Sequence, residues 1–253
     1  MNIRTAAVAA MLCAAQTARA QSATEHIALG DKDHTSLNPA GALAHYQQAI
    51  TLDSTNAEAL WKAARDAIDL GEFASTSKTR DSLYKLAEQY AARGVHANPH
   101  IAVTHFTLAK ALGRAALTKG GREKVSYAGR VREEALAALK IDSLDDGALH
   151  VMGVWNAEIM RLNGFLRFVA KNLLGGGVFG EASWDNARTY LERTVALYPD
   201  RIVHHLDLGD VYRDIGDKEK AREQYTLVGK LPASEYNDAH YQQEAEEKLR
   251  GLR

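Results

Sequence analysis

Apolar residues recur three and four positions apart along most of the chain, and no stretch shows a convincing strand-like alternation of apolar and polar positions. The pattern predicts helices throughout. A six-residue cadence closes four of them: Ala49 to Ser54, Gly94 to Pro99, Ala138 to Ser143 and Thr194 to Pro199, spaced by 45, 44 and 56 residues. Each cadence ends in Pro or Ser, where a new helix begins. A period of this length marks stacked helix pairs, none of which can bury its apolar face alone. Such stacks commonly offer a binding surface rather than a catalytic pocket.

The clearest unit runs from about residue 202 to 235. Leu208, Gly209 and Tyr212 lie on its first helix, Gly216 at the turn, and Ala221, Tyr225 and Val228 on its second, with Pro232 beyond. This spacing resembles a tetratricopeptide repeat. Gly209 and Ala221 are small where two helices approach closely, and Gly216 suits a positive φ. The same register pairs Leu29 and Gly30 with Ala42, Tyr46 and Ala49, and Trp61 and Ala64 with Ala87, Ala91 and Gly94. It pairs Leu108 and Ala109 with Ala135 and Ala138, and Leu149, Met152 and Gly153 with Ala187, Leu191 and Thr194. The expected fold is therefore all-α: one tetratricopeptide-like solenoid of about five helix pairs over residues 21–253. A polar helix from Ser234 to Arg250 caps its end.

Three units are stretched between their helices, by polar pieces at 75–82 and 118–126 and by a longer insertion at 161–183. The last reads as an amphipathic helix, Phe165 to Leu174, followed by the glycine loop from Gly175 to Gly180. Three roles fit it: a packing element between repeats, a lid at 165–179 closing over an apolar ligand, or a short membrane-surface helix with Arg167 and Lys171 beside its Phe and Leu residues.

The first 20 residues have a separate logic. Arg4, an apolar stretch from Thr5 to Ala15, and Ala18-Arg19-Ala20 form the three parts of a secretory signal peptide. Cleavage near Ala20 predicts an exported protein, periplasmic or secreted. It removes Arg4 and Arg19, taking the net charge from −1 to −3, and also the sole cysteine, Cys13. The mature chain then has no thiol for a disulfide, a thiolate metal site or a nucleophile. Its near-neutral balance argues against a nucleic-acid partner, and no later run of about 20 apolar residues spans a membrane.

Catalytic signatures are missing: there is no Gly-x-Ser-x-Gly, no phosphate loop, and no dinucleotide fingerprint. No cofactor is expected. His96 and His100 straddle Pro99, His204 and His205 are adjacent and face different ways, and no histidine spacing matches a metal-ligand pattern. The candidate site is instead a stripe on the first helices, facing the concave groove. It comprises Lys62, Asp66 and Asp69; Phe106, Lys110 and Arg114; His150, Val154 and Glu158; and Asp210 and Arg213, with Asp214 beside them. Mixed charges with a few apolar anchors suit a segment of a protein or peptide partner. They also suit any solvated helix face.

One stretch is more specific than the repeat. Gly147 to Trp155, Leu173-Leu-Gly-Gly176, Ala182 to Ala187 with Tyr190 and Leu191, Ala196 to Pro199, and Leu208 to Tyr212 together resemble the regulator of microtubule dynamics family. The likeness covers roughly residues 55 to 232. It implies a monomeric helical-repeat protein without catalytic residues, whose animal members associate with microtubules. A signal peptide directs the chain away from a cytosolic cytoskeleton. The leading expectation is therefore an exported, non-catalytic interaction scaffold. A microtubule-associated regulator and an apolar-ligand carrier are the alternatives.

Overall fold

Each cadence proves to be the last turn of a second helix and its cap. The first residue, Ala49, Gly94, Ala138 or Thr194, is buried against the partner helix. Its carbonyl accepts from the amide of the fifth residue, Asp53, Asn98, Asp142 or Tyr198, at 2.8–3.0 Å. A small buried residue followed by a capping residue explains why the pattern recurs. The next helix then starts within a few residues.

The computed structural model describes residues 22–173 and 177–252. Among them are twelve α-helices, a 3₁₀ turn and no strand. The expected signal segment, and residues 174–176 of the glycine loop, lie outside the described residues. Five pairs follow the predicted register: α1 (22–35) with α2 (Pro39–Leu52), α3 (Ala57–Glu72) with α4 (Ser77–Ala97), and α5 (Ala102–Ala116) with α6 (Gly121–Ile141). α7 (Asp146–Arg161) pairs with α9 (Trp184–Leu197), and α10 (Ile202–Asp214) with α11 (Lys218–Lys230). The insertion supplies α8 (Gly164–Leu173) and the 3₁₀ turn Gly177–Glu181, and α12 (Asp238–Gly251) ends the chain. Asn56, Thr76, Asp145, Ser183 and Asp217 each cap a helix, their side chains accepting the backbone amide three residues on.

The close approach at Gly209 is to a ring rather than to a backbone. A Cβ there would meet Tyr225 Cε1 at 2.5 Å, and one at Gly30 would meet Tyr46 Cε1 at the same distance. Gly216 has φ +88° and ends α10, with the Asp217 amide reaching back to the Tyr212 carbonyl at 2.8 Å. The stretched units are lengthened chiefly by helix: α4 and α6 each run 21 residues and absorb most of the polar pieces. Lys, Arg and Glu are good helix formers, so polar sequence lengthens a helix as readily as a loop.

The candidate partner-binding groove

Every residue of the predicted stripe lies on a first helix, α3, α5, α7 or α10. Most are tied to other side chains of the chain itself. Lys62 is buried, and its Nζ donates to Asp31 Oδ2 at 2.7 Å and Glu58 Oε1 at 2.6 Å. Asp66 is fully buried, with Oδ1 accepting from Arg65 Nε at 3.0 Å and paired with His34 Nδ1 at 2.8 Å. Lys110 of α5 reaches Asp69 of α3 at 3.4 Å, and Arg114 pairs with Glu72 one turn further on. Phe106 is partly buried and packs beside Ala102, Ala138 and Ala148, with its ring over Gly147, where a Cβ would stand 2.4 Å away. Val154 is half-buried, and the exposed Glu158 pairs with Arg161.

Part of this stripe is a repeated rung. Asp31 follows Gly30 and accepts from Tyr46 Oη at 2.7 Å; Asp210 follows Gly209 and accepts from Tyr225 Oη at 2.6 Å. A lysine from the following first-helix position completes each rung: Lys62 to Asp31, and Lys248 to Asp210, both at 2.7 Å. Burial works against ionisation of Asp31, but Lys62 and Tyr46 hold its carboxyl below the usual range. Burial and the carboxylate partner push both phenols up, so each hydroxyl remains a donor. Glycine next to aspartate, with tyrosine 15 residues after the aspartate, is visible in the sequence. The lysines, 31 and 38 residues beyond the aspartates, are not at one spacing, which hides them.

The groove is partly filled by the chain's own C-terminal segment. Asn237 is buried, and its Nδ2 donates to the Asp69 carbonyl at 3.2 Å, across 168 residues of sequence. His240 stacks on Phe73 with centroids 4.1 Å apart, and Tyr241 meets the same ring edge-on at 5.9 Å. The Tyr241 phenol is pushed up by burial and by the negative charge of nearby Glu72. Asp238 Oδ2 accepts from the Ser234 and Glu235 amides at 2.8 and 2.7 Å. That turn delays the capping helix to Asp238 and aims its first turn inward. Beside it lies an open cleft of about 310 Å³, lined by Glu72, Phe73, Arg80, Tyr84, Arg114, Leu117, Tyr241 and Glu244.

His34, Asp66 and Asp69 bring ligand atoms within 4.8 Å of one another, the arrangement a divalent ion needs. Arg65 on Asp66 and Lys110 on Asp69 already supply the positive charge there. His204 and His205 do face different ways: His204 turns to α7, while His205 bridges Gln224 and the Pro199 carbonyl, both at 2.7 Å. His105 repeats that second role, with Nε2 on the Pro99 carbonyl at 3.0 Å and Nδ1 on Glu134 at 2.6 Å. A proline followed six residues later by histidine is the readable signal for both.

The insertion packs around Trp155. Phe179 is buried and meets that indole edge-on at 5.9 Å, while Trp155 Nε1 donates to the Ala128 carbonyl of α6 at 2.8 Å. Ala170 of α8 is buried with them, whereas Leu166 and Phe168 stand exposed. Arg132 of α6 pairs with Glu181, and Asn156 Oδ1 accepts the Ser183 amide at 3.2 Å.

Five stacked helix pairs with a charged first-helix face and a C-terminal capping helix define a tetratricopeptide-like repeat protein. Solved structures agree on the fold. A thermophilic TPR protein of Thermus thermophilus is 17% identical, with 91% of this chain and 98% of that chain covered and a TM-score of 0.61. PilF of Pseudomonas aeruginosa is 14% identical, with 93% of each chain covered and a TM-score of 0.55. The family described as regulator of microtubule dynamics protein 1-3 matches residues 15–253, and the chain belongs to it. Regulator of microtubule dynamics protein 1 of Bos taurus is 26% identical over 202 residues, 79% of this chain and 63% of that protein. The Homo sapiens protein of that name is 25% identical over 191 residues, 75% and 60% of the two chains. The chain thus spans under two thirds of these relatives.

Proposed function

We propose that this protein is an exported, non-catalytic interaction scaffold that holds a segment of a partner protein in its concave groove. The observation that carries the reading is the segment 234–241, which already lies against α3 across that groove, with an open cleft next to it that Phe73, Tyr84 and Tyr241 line among charged side chains. The groove's charged residues are mostly spent on one another, so they give it shape and rigidity. Recognition then falls to the cleft rim, where Phe73 and Leu117 are 41% and 59% exposed and Arg80 and Glu244 add charge. Repeat stacks commonly bind along this surface. The N-terminal pattern supports export.

The test pairs partner capture with the start of the mature chain. Capture from the protein's own cells is compared between the parent and a Leu117→Asp variant. The expected outcome is a partner enriched by the parent and lost by the variant, at an unchanged melting temperature, from a chain beginning near Gln21 in an exported fraction. Identical capture by both sinks the groove reading. Family membership supports a second reading, regulation of microtubule dynamics, as the relatives are named. A cytosolic chain retaining Met1 would favour it.

A further inference from the structure

The seam between units four and five is polar at both ends. Arg161 reaches Asp214 at its far end. At the near end four side chains form a line: Asp146 Oδ2 to His204 Nε2 at 3.1 Å, His204 Nδ1 to His150 Nδ1 at 3.0 Å, and His150 Nε2 to Asp207 Oδ2 at 3.0 Å. Asp146 and His150 belong to α7, and His204 and Asp207 to α10.

Counting protons decides what this line holds. Asp146 and Asp207 are both held below the usual carboxylate range: burial opposes it, and the hydrogen bonds from His204 and His150 prevail. Each is therefore ionised and only accepts. Each Nε2 must then carry its hydrogen. A neutral imidazole has one N–H, so two neutral rings would turn two bare Nδ1 lone pairs toward each other at 3.0 Å. Moving one hydrogen to Nδ1 would instead leave a bare Nε2 against a carboxylate. Only a third proton satisfies all three contacts.

We propose that His150 and His204 share one proton at neutral pH, forming a pH-sensitive clasp between α7 and α10. Asp146 and Asp207 bracket the pair; Arg201 before α10, Arg114 of α5 and Lys248 of α12 also face these carboxylates, but each is paired with an acid of its own, Glu235, Glu72 and Asp210. A second proton is resisted. His204 is buried, and burial, together with the charge on His150, takes it down to about 4. Stability then declines on both sides of neutrality. Below the ordinary histidine pKa near 6.5, the unfolded chain binds two protons and the clasp only one, until about pH 4, so stability falls with falling pH. On the alkaline side the folded pair holds a proton that the unfolded chain lacks, so stability falls as pH rises and that proton leaves.

Two measurements on the full chain test this. Nitrogen-15 NMR of the histidine rings, titrated from pH 5 to about 9.5, should show both Nε2 atoms protonated at pH 7 and one proton shared between the Nδ1 atoms. A bare Nε2 on either ring at pH 7 overturns the proposal. Two bare Nδ1 atoms with stoichiometric bound metal by elemental analysis do so too, since a cation then takes the proton's place. The second measurement is the melting temperature of a His150→Gln variant. Gln has two amide hydrogens, one for Asp207 and one for a bare Nδ1 of neutral His204, so it replaces the contacts without the extra proton. The parent should lose about 3 °C more than the variant between pH 7 and 9.5. Parallel profiles overturn the clasp. Should the variant not fold, the NMR titration decides alone.

Discussion

A single methyl group separates a glycine that the fold requires from one it merely tolerates. Gly209 faces the fully buried ring of Tyr225, whose hydroxyl is fixed on Asp210. The ring has nowhere to go, and Gly209→Ala should cost about 1–3 kcal/mol in urea denaturation. Gly94 is also buried on a helix, but a Cβ there meets Leu60 Cβ at an ordinary 3.7 Å. Gly94→Ala should therefore be neutral or stabilising by about 0.5–1 kcal/mol, through the lower entropy of the unfolded chain. Equal losses at both positions would mean that the Tyr225 contact is not what fixes Gly209. Gly209 is legible in the sequence because its neighbours Leu208 and Tyr212 place it in the repeat register. The role of Lys62 is not, because its partner Asp31 belongs to the preceding unit and no local pattern joins them.

At the scale of elements, the helix pairs are the most legible feature. Local spacing of small buried residues fixes which helices meet, as Ala87, Ala91 and Gly94 do on α4. Helix length is less legible: the polar stretches before Tyr84 and Val131 look like insertions between helices but form their first turns. The inserted α8 and 3₁₀ turn divide more sharply than their composition suggests. Phe179 is 2% exposed against Trp155, while Phe168 is 59% exposed. Phe179→Ala should destabilise by about 3–5 kcal/mol, whereas Phe168→Ser should stay within about 0.5 kcal/mol. Thermal and chemical unfolding of the two variants checks this. A mild Phe179 effect would mean that the insertion is loosely attached, as a lid needs. Both phenylalanines read alike in sequence, since burial depends on where the 3₁₀ turn lands.

A solenoid is ordinarily one-dimensional, each repeat touching only its neighbours, so stability divides into local terms. The contact from Asn237 to Asp69 breaks that rule by joining the C-terminal cap to the second unit. It was not legible in the sequence. The cap's polar character is plain, but its reach across the groove follows from the summed twist of all five units, which no local spacing encodes. The consequence is measurable far from the cap. Asn237→Ala removes the donor to the Asp69 carbonyl and to Glu72. An unpaired buried carbonyl costs about 1–3 kcal/mol. Hydrogen exchange should therefore rise in the last turn of α3, around Asp69 to Glu72, as well as in α12. Val228→Ala in α11 creates a cavity next to the cap without touching α3, and its effect should stay within the final units. If both variants leave α3 exchange unchanged, the chain behaves as an open stack and its groove is already free. If Asn237→Ala alone loosens α3, the cap and the groove share one free energy, and a partner segment entering the cleft must compete with residues 234–241 for it.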